Sequence, residues 1–251
     1  MPDDLEVVPL HLLVAVHRSG GLLLGAFDGE KLVGFVFGFT GITEQGETKH
    51  CSHMMGIDPA YQGTGIGYLL KVAQREFALE QGLDLVTWTF DPLESRNAYL
   101  NVGKLGAVCQ TYFRDYYGPL RDELNAGLPS DRLQAKWWLM SERVRRRLAR
   151  ETVAPSASSA VQANAVRLES SGFLVPGLLH LDIDAPDVRV EIPADYLAIK
   201  ANDPGLAMEW RLVIRQVLEA YLAAEYVVVG FSSRESEIGR RSYYLLRRGP
   251  G

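Results

Sequence analysis

The hexapeptide Gln62-Gly63-Thr64-Gly65-Ile66-Gly67 limits the folds open to this chain more than any other stretch. An apolar run ends at Ile57, Asp58-Pro59 breaks it, and three glycines follow on alternate residues. Behind them Ile66, Leu69, Leu70, Ala73 and Phe77 recur at helical spacing, and Gly82 marks a stop. The pattern predicts a strand, a tight turn, a glycine loop and a helix over 67–81. A helix that starts this way leaves its first N–H groups unpaired and carries partial positive charge at that end. Glycines let an anion reach the backbone without a Cβ in the way, so the loop is suited to phosphate.

Three phosphate loops compete for the stretch. A Walker loop needs Gly-Lys-Ser/Thr, but Tyr68 follows Gly67 and Val72 follows Lys71. A dinucleotide fingerprint needs G-x-G-x-x-G, and the spacing here is G-x-G-x-G. The third pattern, Gln/Arg-x-x-Gly-x-Gly/Ala, is met by Gln62, Gly65 and Gly67. A purely structural glycine loop is also common in α/β domains, so the flanks must decide.

The flanks supply an order of elements. Residues 9–18 are apolar and helical in pattern, with His11 and His17 on a surface. Leu22 to Phe27 and Lys31 to Thr40 read as strands joined by the hairpin signal Asp28-Gly29. Gly34 and Gly38 inside the second strand point to a bulge or close packing. Thr48 to Ile57 is the strand that feeds the loop. After the helix come a strand over 83–90, a short helix over 95–104 and a strand over 106–113. This order and the loop resemble the GNAT superfamily of acyl-CoA-dependent N-acyltransferases. The segment SRNAYLNVGKLGA resembles that family's Asn-x-x-Ala…Gly-Phe segment, and the resemblance covers residues 5–117.

The resemblance implies an α/β fold: a GNAT-type mixed central sheet flanked by helices. It implies acetyl-CoA or coenzyme A as cofactor. Gln62, Gly63, Thr64, Gly65, Ile66 and Gly67 would bind its pyrophosphate. Met55, Gly56 and Ile57 would pair with the pantetheine arm, with the N–H of Met55 or Gly56 on the thioester oxyanion. Asn97 and Asn101 are candidates for the other side of the arm. The amine must lose a proton, and His53, on the strand before the loop, is the candidate base. It reads equally as a packed strand histidine. Glu47 and His50 could help through water. Tyr99 is the candidate acid, with Tyr112 and Tyr116 behind it. Trp88 and Phe90 read as core or as acceptor-pocket walls.

Two departures from the family stand out. Its members usually begin with a strand and a long helix, whereas this chain starts almost at the hairpin, so an early strand is missing, lost to a wrongly placed start codon, or replaced from elsewhere, with the C-terminal strands expected to cover the edge beside the Leu22–Phe27 hairpin. Counting four back from Gly106 gives Val102, so the family's acid tyrosine has no direct counterpart. A thiolate leaving group with a pKa near about 8.5 can depart without a donor, so this loss slows the reaction without forbidding it.

The remainder carries no catalytic motif. Residues 136–139 read as a strand, and SERVRRRLARE as a helix whose arginines form a solvated face or a docking surface for an acidic partner. Three parts follow: a GNAT-like domain over 1–150, linker composition over 151–165, and a C-terminal block over 166–251 packed on the first domain. Strands in the block are expected at 178–184, 188–192, 226–231 and 242–246. The apolar stripe Trp210, Val213, Ile214, Val217, Leu218, Tyr221 predicts a helix over 205–224. Together they make a β-β-α-β-β block, with Arg211 and Arg215 on the helix's polar side.

Composition narrows the partners. With 26 basic and 31 acidic residues the net charge is −5, which does not advertise nucleic acid. Cys51 and Cys109 have neither metal-ligand nor disulfide-framework spacing, so no metal is expected and a reducing cytoplasm is. No stretch reaches transmembrane length, so no membrane is expected. The expected function is transfer of an acetyl or short acyl group to a small-molecule or peptide amine, with a homodimer left open. The alternative is a GNAT-like protein that binds CoA without turnover and acts through a partner.

Overall fold

The computed structural model describes residues 8–118, 127–151 and 160–249. In chain order its elements are α1 (Leu10–Arg18), β1 (Leu22–Asp28), β2 (Lys31–Ile42), β3 (Thr48–Ile57), α2 (Ile66–Glu80), β4 (Leu85–Phe90), α3 (Ser95–Ala98), β5 (Val108–Phe113), β6 (Arg132–Trp138), α4 (Glu142–Leu148), β7 (Val161–Gln162), β8 (Asn164–Leu168), β9 (Leu174–Leu179), β10 (Asp187–Ile192), α5 (Tyr196–Asn202), α6 (Pro204–Ala223), β11 (Tyr226–Arg234) and β12 (Arg241–Arg248). The chain divides into two compact units: Met1–Trp88 with Lys136–Arg145, and Thr89–Ala135 with Arg146–Gly251.

The first unit is built on the strand order β1-β2-β3-β4-β6. Asp28-Gly29 makes the β1–β2 turn, with Gly29 at φ 59° in the left-handed region. β2 and β3 run antiparallel from Gly34↔Ile57 to Ile42↔Thr48. Their register shifts at Phe37/Gly38: Phe37 pairs with Met54 and Gly38 with Ser52. His53 is therefore the extra residue of a β-bulge. The glycines of β2 serve both roles expected of them. A Cβ on Gly34 would come within 2.8 Å of Ile57, and one on Gly38 would collide with the His50 ring. The core under α2 gathers Leu22, Val36 and Leu70, with Met55, Ile57, Ile66 and Phe77 packed against it. Each fully buried aliphatic side chain there contributes about 1.5–3 kcal/mol.

The second unit follows the order β6-β5-β11-β12-β10-β7, with β8 and β9 as a separate pair. α6 presents Trp210, Ile214, Val217, Leu218 and Tyr221 to its core, the stripe the sequence predicts. Both units are mixed α/β. The pairs β3–β4 and β7–β10 are parallel; β1–β2, β2–β3, β5–β11, β11–β12 and β10–β12 are antiparallel.

Several sequence expectations change here. The C-terminal strands add beside β5, at Val228↔Cys109, and not at β1, whose strand partner among the described residues is β2. The linker-like span lies partly outside the described residues. Its end is strand: Val161 and Gln162 pair with β10, and Asn164 exchanges hydrogen bonds with the Glu191 backbone. That unforeseen β8 gives β9 its partner, so the strand expected at 178–184 forms at Leu174–Leu179. Arg211 and Arg215 are not solvated. Arg211 is 2% exposed and makes two hydrogen bonds, of 2.8 and 2.5 Å, to the Asp91 carboxylate. Arg215 does the same to buried Asp131, at 2.8 Å twice. Burial works against the Arg211 charge, but Asp91 outweighs it and holds the guanidinium above its ordinary value. Among the described residues, no helix is long and apolar enough to cross a membrane.

Candidate active site

β3 delivers the chain to the glycine loop, and a short clamp fixes the turn between them. Asp58 accepts from the Ala60 N–H at 2.9 Å and pairs with Lys31 at 2.9 Å. The Tyr61 hydroxyl donates to Asp28 at 2.7 Å, and Thr64 Oγ1 donates to the Tyr61 carbonyl at 2.6 Å. Gly63 and Gly65 take φ of 79° and 97°, and the space where each Cβ would project is open. Only glycine holds such a shape without strain. Gly65 is the N-cap of α2, so no side chain caps the helix, and its first turn carries no acidic residue. The N–H groups of Ile66, Gly67 and Tyr68 precede the first intrahelical bond, Leu69 N–H to Gly65 O at 3.1 Å. The loop thus fits a diphosphate: uncapped N–H groups head the helix, and no acidic residue stands in its first turn.

The strand beside it is open on one edge. Among the described residues β3 pairs with β4 at His50↔Val86 and Cys51↔Thr87, and from Ser52 to Ile57 its strand partner is β2. The Asp58 N–H bonds Val33 O at 2.9 Å. N–H direction alternates along a strand, so Gly56 and Met54 also point toward β2. Met55 and Ile57 point their N–H groups the other way, to the open edge. That choice between Met55 and Gly56 was not decidable from sequence. An extended ligand with amide groups can add to such an edge as another strand.

His53 is exposed at the bulge, its ring against Phe37 and Phe39 at centroid distances of 5.9 and 5.8 Å. The bulge gives it a direction that regular alternation would not. His50 departs from the sequence reading, which left it free to work through water. It is fully buried on the opposite, α2-facing side, 3.1 Å from Gln74 Nε2. Burial and the charge of Lys71 push its pKa down to about 4. Glu47 begins the chain's return to β3, where its backbone N–H bonds Thr43 Oγ1 at 3.1 Å.

Lys71 is the residue that sequence reasoning missed. It is 2% exposed, on the second turn of α2. Its Nζ lies 2.7 Å from Ser52 Oγ, 3.1 Å from Gln74 Oε1 and 3.9 Å from the centre of the Trp88 ring. Trp88 in turn meets Trp137 edge to face at 6.0 Å. Burial lowers the Lys71 pKa to about 7. The buried set of α2 is Leu70, Lys71, Gln74 and Ala78, whereas Leu69, counted in the apolar stripe, is 64% exposed. Two polar residues, Lys71 and Gln74, spaced i and i+3 beside that stripe were the available signal.

The remaining candidates belong to the second unit. α3 runs on into a π-helical turn, Tyr99–Lys104, where Asn101 and Val102 are buried and Asn97, just before it, is exposed. Tyr99 is exposed, with Lys104 Nζ 5.3 Å from its ring centre. It borders a cavity of about 610 Å³ with Arg96, Tyr196, Arg234 and Arg240. The Tyr112 hydroxyl donates to Asp131 at 2.7 Å, and burial and then that carboxylate push its pKa up. Tyr116 stacks between Phe113 and Tyr117. Val102, at the position of the expected tyrosine, is fully buried. Phe90 is core at 5% exposure.

Comparison with known proteins bears on this geometry. Residues 3–103 match the family model described as Acetyltransferase (GNAT) family. No curated protein matches the chain. Among solved structures it is similar to a GNAT-family acetyltransferase from Streptococcus pneumoniae, at 22% identity over 50% of this chain and 72% of that one, TM-score 0.42. A GNAT family acetyltransferase from Elizabethkingia anophelis with acetyl-CoA bound aligns at 13% identity over 52% and 83%, TM-score 0.42. Naa20 from Chaetomium thermophilum, in complex with a bisubstrate analogue, aligns at 16% identity over 60% and 81%, TM-score 0.43.

Proposed function

Because residues 3–103 match the GNAT acetyltransferase family model, we propose that the chain is a member of that superfamily and transfers an acetyl or short acyl group from acyl-CoA to a small-molecule or peptide amine. The observation that carries this reading is the pairing of an uncapped glycine-headed helix with a strand whose outer edge, among the described residues, has no strand partner from Ser52 to Ile57. Acyl-CoA, when bound, supplies an activated thioester carbonyl. The loop from Gln62 to Gly67 holds its diphosphate through the N–H groups of Gly63, Gly65, Ile66 and Gly67, those of Gln62 and Thr64 already bonding the Pro59 and Tyr61 carbonyls at 3.3 and 3.4 Å. Met55 and Ile57 present N–H and carbonyl groups to the arm, and the Met55 N–H is the oxyanion donor. His53 takes the proton of the incoming ammonium, which has a pKa near about 10 and cannot attack until it is neutral. By resemblance, Asn97 and Asn101 are the candidates for holding the arm, and Tyr99 is the candidate acid.

Buried Val102 favours a second reading, a CoA-binding protein without turnover. Calorimetry with CoA and thiol release from acetyl-CoA with a panel of amines and peptide N-termini separate the two. Amine-dependent thiol release supports the transferase. CoA binding without release in any member of the panel supports the second reading. Failure to bind CoA at all would overturn both.

A further inference from the structure

A buried lysine with no carboxylate beside it is costly, because burial disfavours the charged form. Lys71 is such a residue: among the described residues no acidic group lies within ion-pair distance of it. Its surroundings nonetheless suit an ammonium. Ser52 Oγ, Gln74 Oε1 and the face of Trp88 offer three acceptors to three N–H groups. The chain of hydrogen bonds fixes the orientation of each partner. Gln74 accepts from Lys71 through Oε1, so its Nε2 donates to His50 Nε2. His50 is therefore neutral with its proton on Nδ1, which has no partner. From β3, β4 and α2 alike, Lys71 meets neutral groups only: Ser52, neutral His50, Trp88 and Gln74. The pocket offers an ammonium its acceptors and, among the described residues, no anion.

The position of the head group shows what kind of anion would complete it. Cys51↔Thr87 is the last β3–β4 pair. Ser52 and Trp88 are the next residues on each strand, and Lys71 touches both. Its head group lies under the apex of the split, at the far end of the open edge from the glycine loop. An arm anchored at the loop and laid along Ile57 and Met55 runs toward that apex.

We propose that Lys71 supplies the positive charge against which the CoA thiolate leaves, in the absence of a tyrosine donor at position 102. The inference rests on the acyl-CoA reading above. In the step, the amine nitrogen bonds to the carbonyl carbon and the C–S bond breaks, its electron pair passing to sulfur. The nitrogen gives up two protons: His53 takes the ammonium proton before attack and releases it to solvent, and then takes the second proton as the amide forms. Lys71 keeps its own proton and pairs with the thiolate, and the new anion in turn holds the lysine charged.

The test reads the ionisation of the CoA thiol on the intact protein. Thiolate absorbance is followed across pH as a difference against CoA-free protein, with calorimetry confirming occupancy. In wild type the bound thiol should titrate about one pH unit or more below the usual value of about 8.5, tenfold more thiolate at neutral pH. Lys71→Met should return it to that value or above while CoA still binds. A wild-type bound thiol that titrates like free CoA defeats the proposal without any variant. So does a lowered value that Lys71→Met leaves in place. Loss of CoA binding in wild type would instead sink the acyl-CoA reading, and this inference with it.

Discussion

Lys71→Met should change the pH dependence of stability in a way that no other residue imitates. The folded-state pKa of Lys71 falls from 10.5 to about 7 through burial alone. Between those values the unfolded chain binds a proton that the folded chain does not, so stability rises with pH through that window. The contribution is fully present above 10.5 and lost as pH falls to 7. At about 1.4 kcal/mol per pH unit, the window spans about 5 kcal/mol. Methionine fills similar volume and does not titrate. It also leaves Ser52 and Gln74 without the lysine donor, at about 1–3 kcal/mol, but that penalty is the same at every pH. The difference in unfolding free energy between wild type and Lys71→Met should therefore move by several kcal/mol in favour of wild type from pH 7 to pH 10.5. Urea unfolding of both proteins across that range measures it, and subtracting one curve from the other cancels every other group. The window lies above the titration of His50, whose pKa is near 4 in the fold. A difference that stays flat with pH would show that Lys71 reaches solvent or an anion in the folded protein, and would refute the reasoning.

Three further outcomes follow from the same geometry. Gly65→Asp puts a side chain in the left-handed region and a negative charge at the uncapped start of α2, so CoA affinity by calorimetry should fall at least tenfold; unchanged binding would reassign the loop. His53→Ala should lower turnover about 10²–10⁴-fold at neutral pH, with the loss shrinking as pH rises toward the pKa of the amine; a near-normal rate would move the role to water or the acceptor itself. Asp91→Ala strands buried Arg211 and should cost about 3–5 kcal/mol in denaturant unfolding, whereas the double variant Asp91→Ala/Arg211→Met should recover most of it; equal losses would mean the pair is not coupled.

What could be read from the sequence was whatever local chemistry alone dictates. Asp28-Gly29 makes its turn, the run 48–57 is a strand to the residue, and the glycines of 63–65 head a helix, because each depends on neighbours a few positions away. The stripe of α6 was legible for the same reason. Legibility failed where a long-range partner changes the meaning of a residue. Arg211 and Arg215 look like a solvated face until Asp91 and Asp131, far away in sequence, turn out to be their partners. The span before residue 165 has the composition of a linker, yet Asn164 is tied at both ends of its amide to the Glu191 backbone, and β8 follows.

The site shows the same limit more sharply. The glycine loop announces itself, but the bulge that sets the direction of His53 is a mismatch between two strands, visible in neither alone. Lys71 is plainer still. On α2 a lysine one turn past the loop reads as a surface residue. It is buried because Gly38 on β2 makes room for His50, His50 takes Gln74, and Gln74 leaves its oxygen for the ammonium. Each link is a polar group that would be destabilising without the next. A chain that keeps such a network under the end of its open edge, where leucine or methionine would pack without desolvation cost, has traded stability for a charge. The thiol titration decides whether that charge serves the chemistry or only the packing.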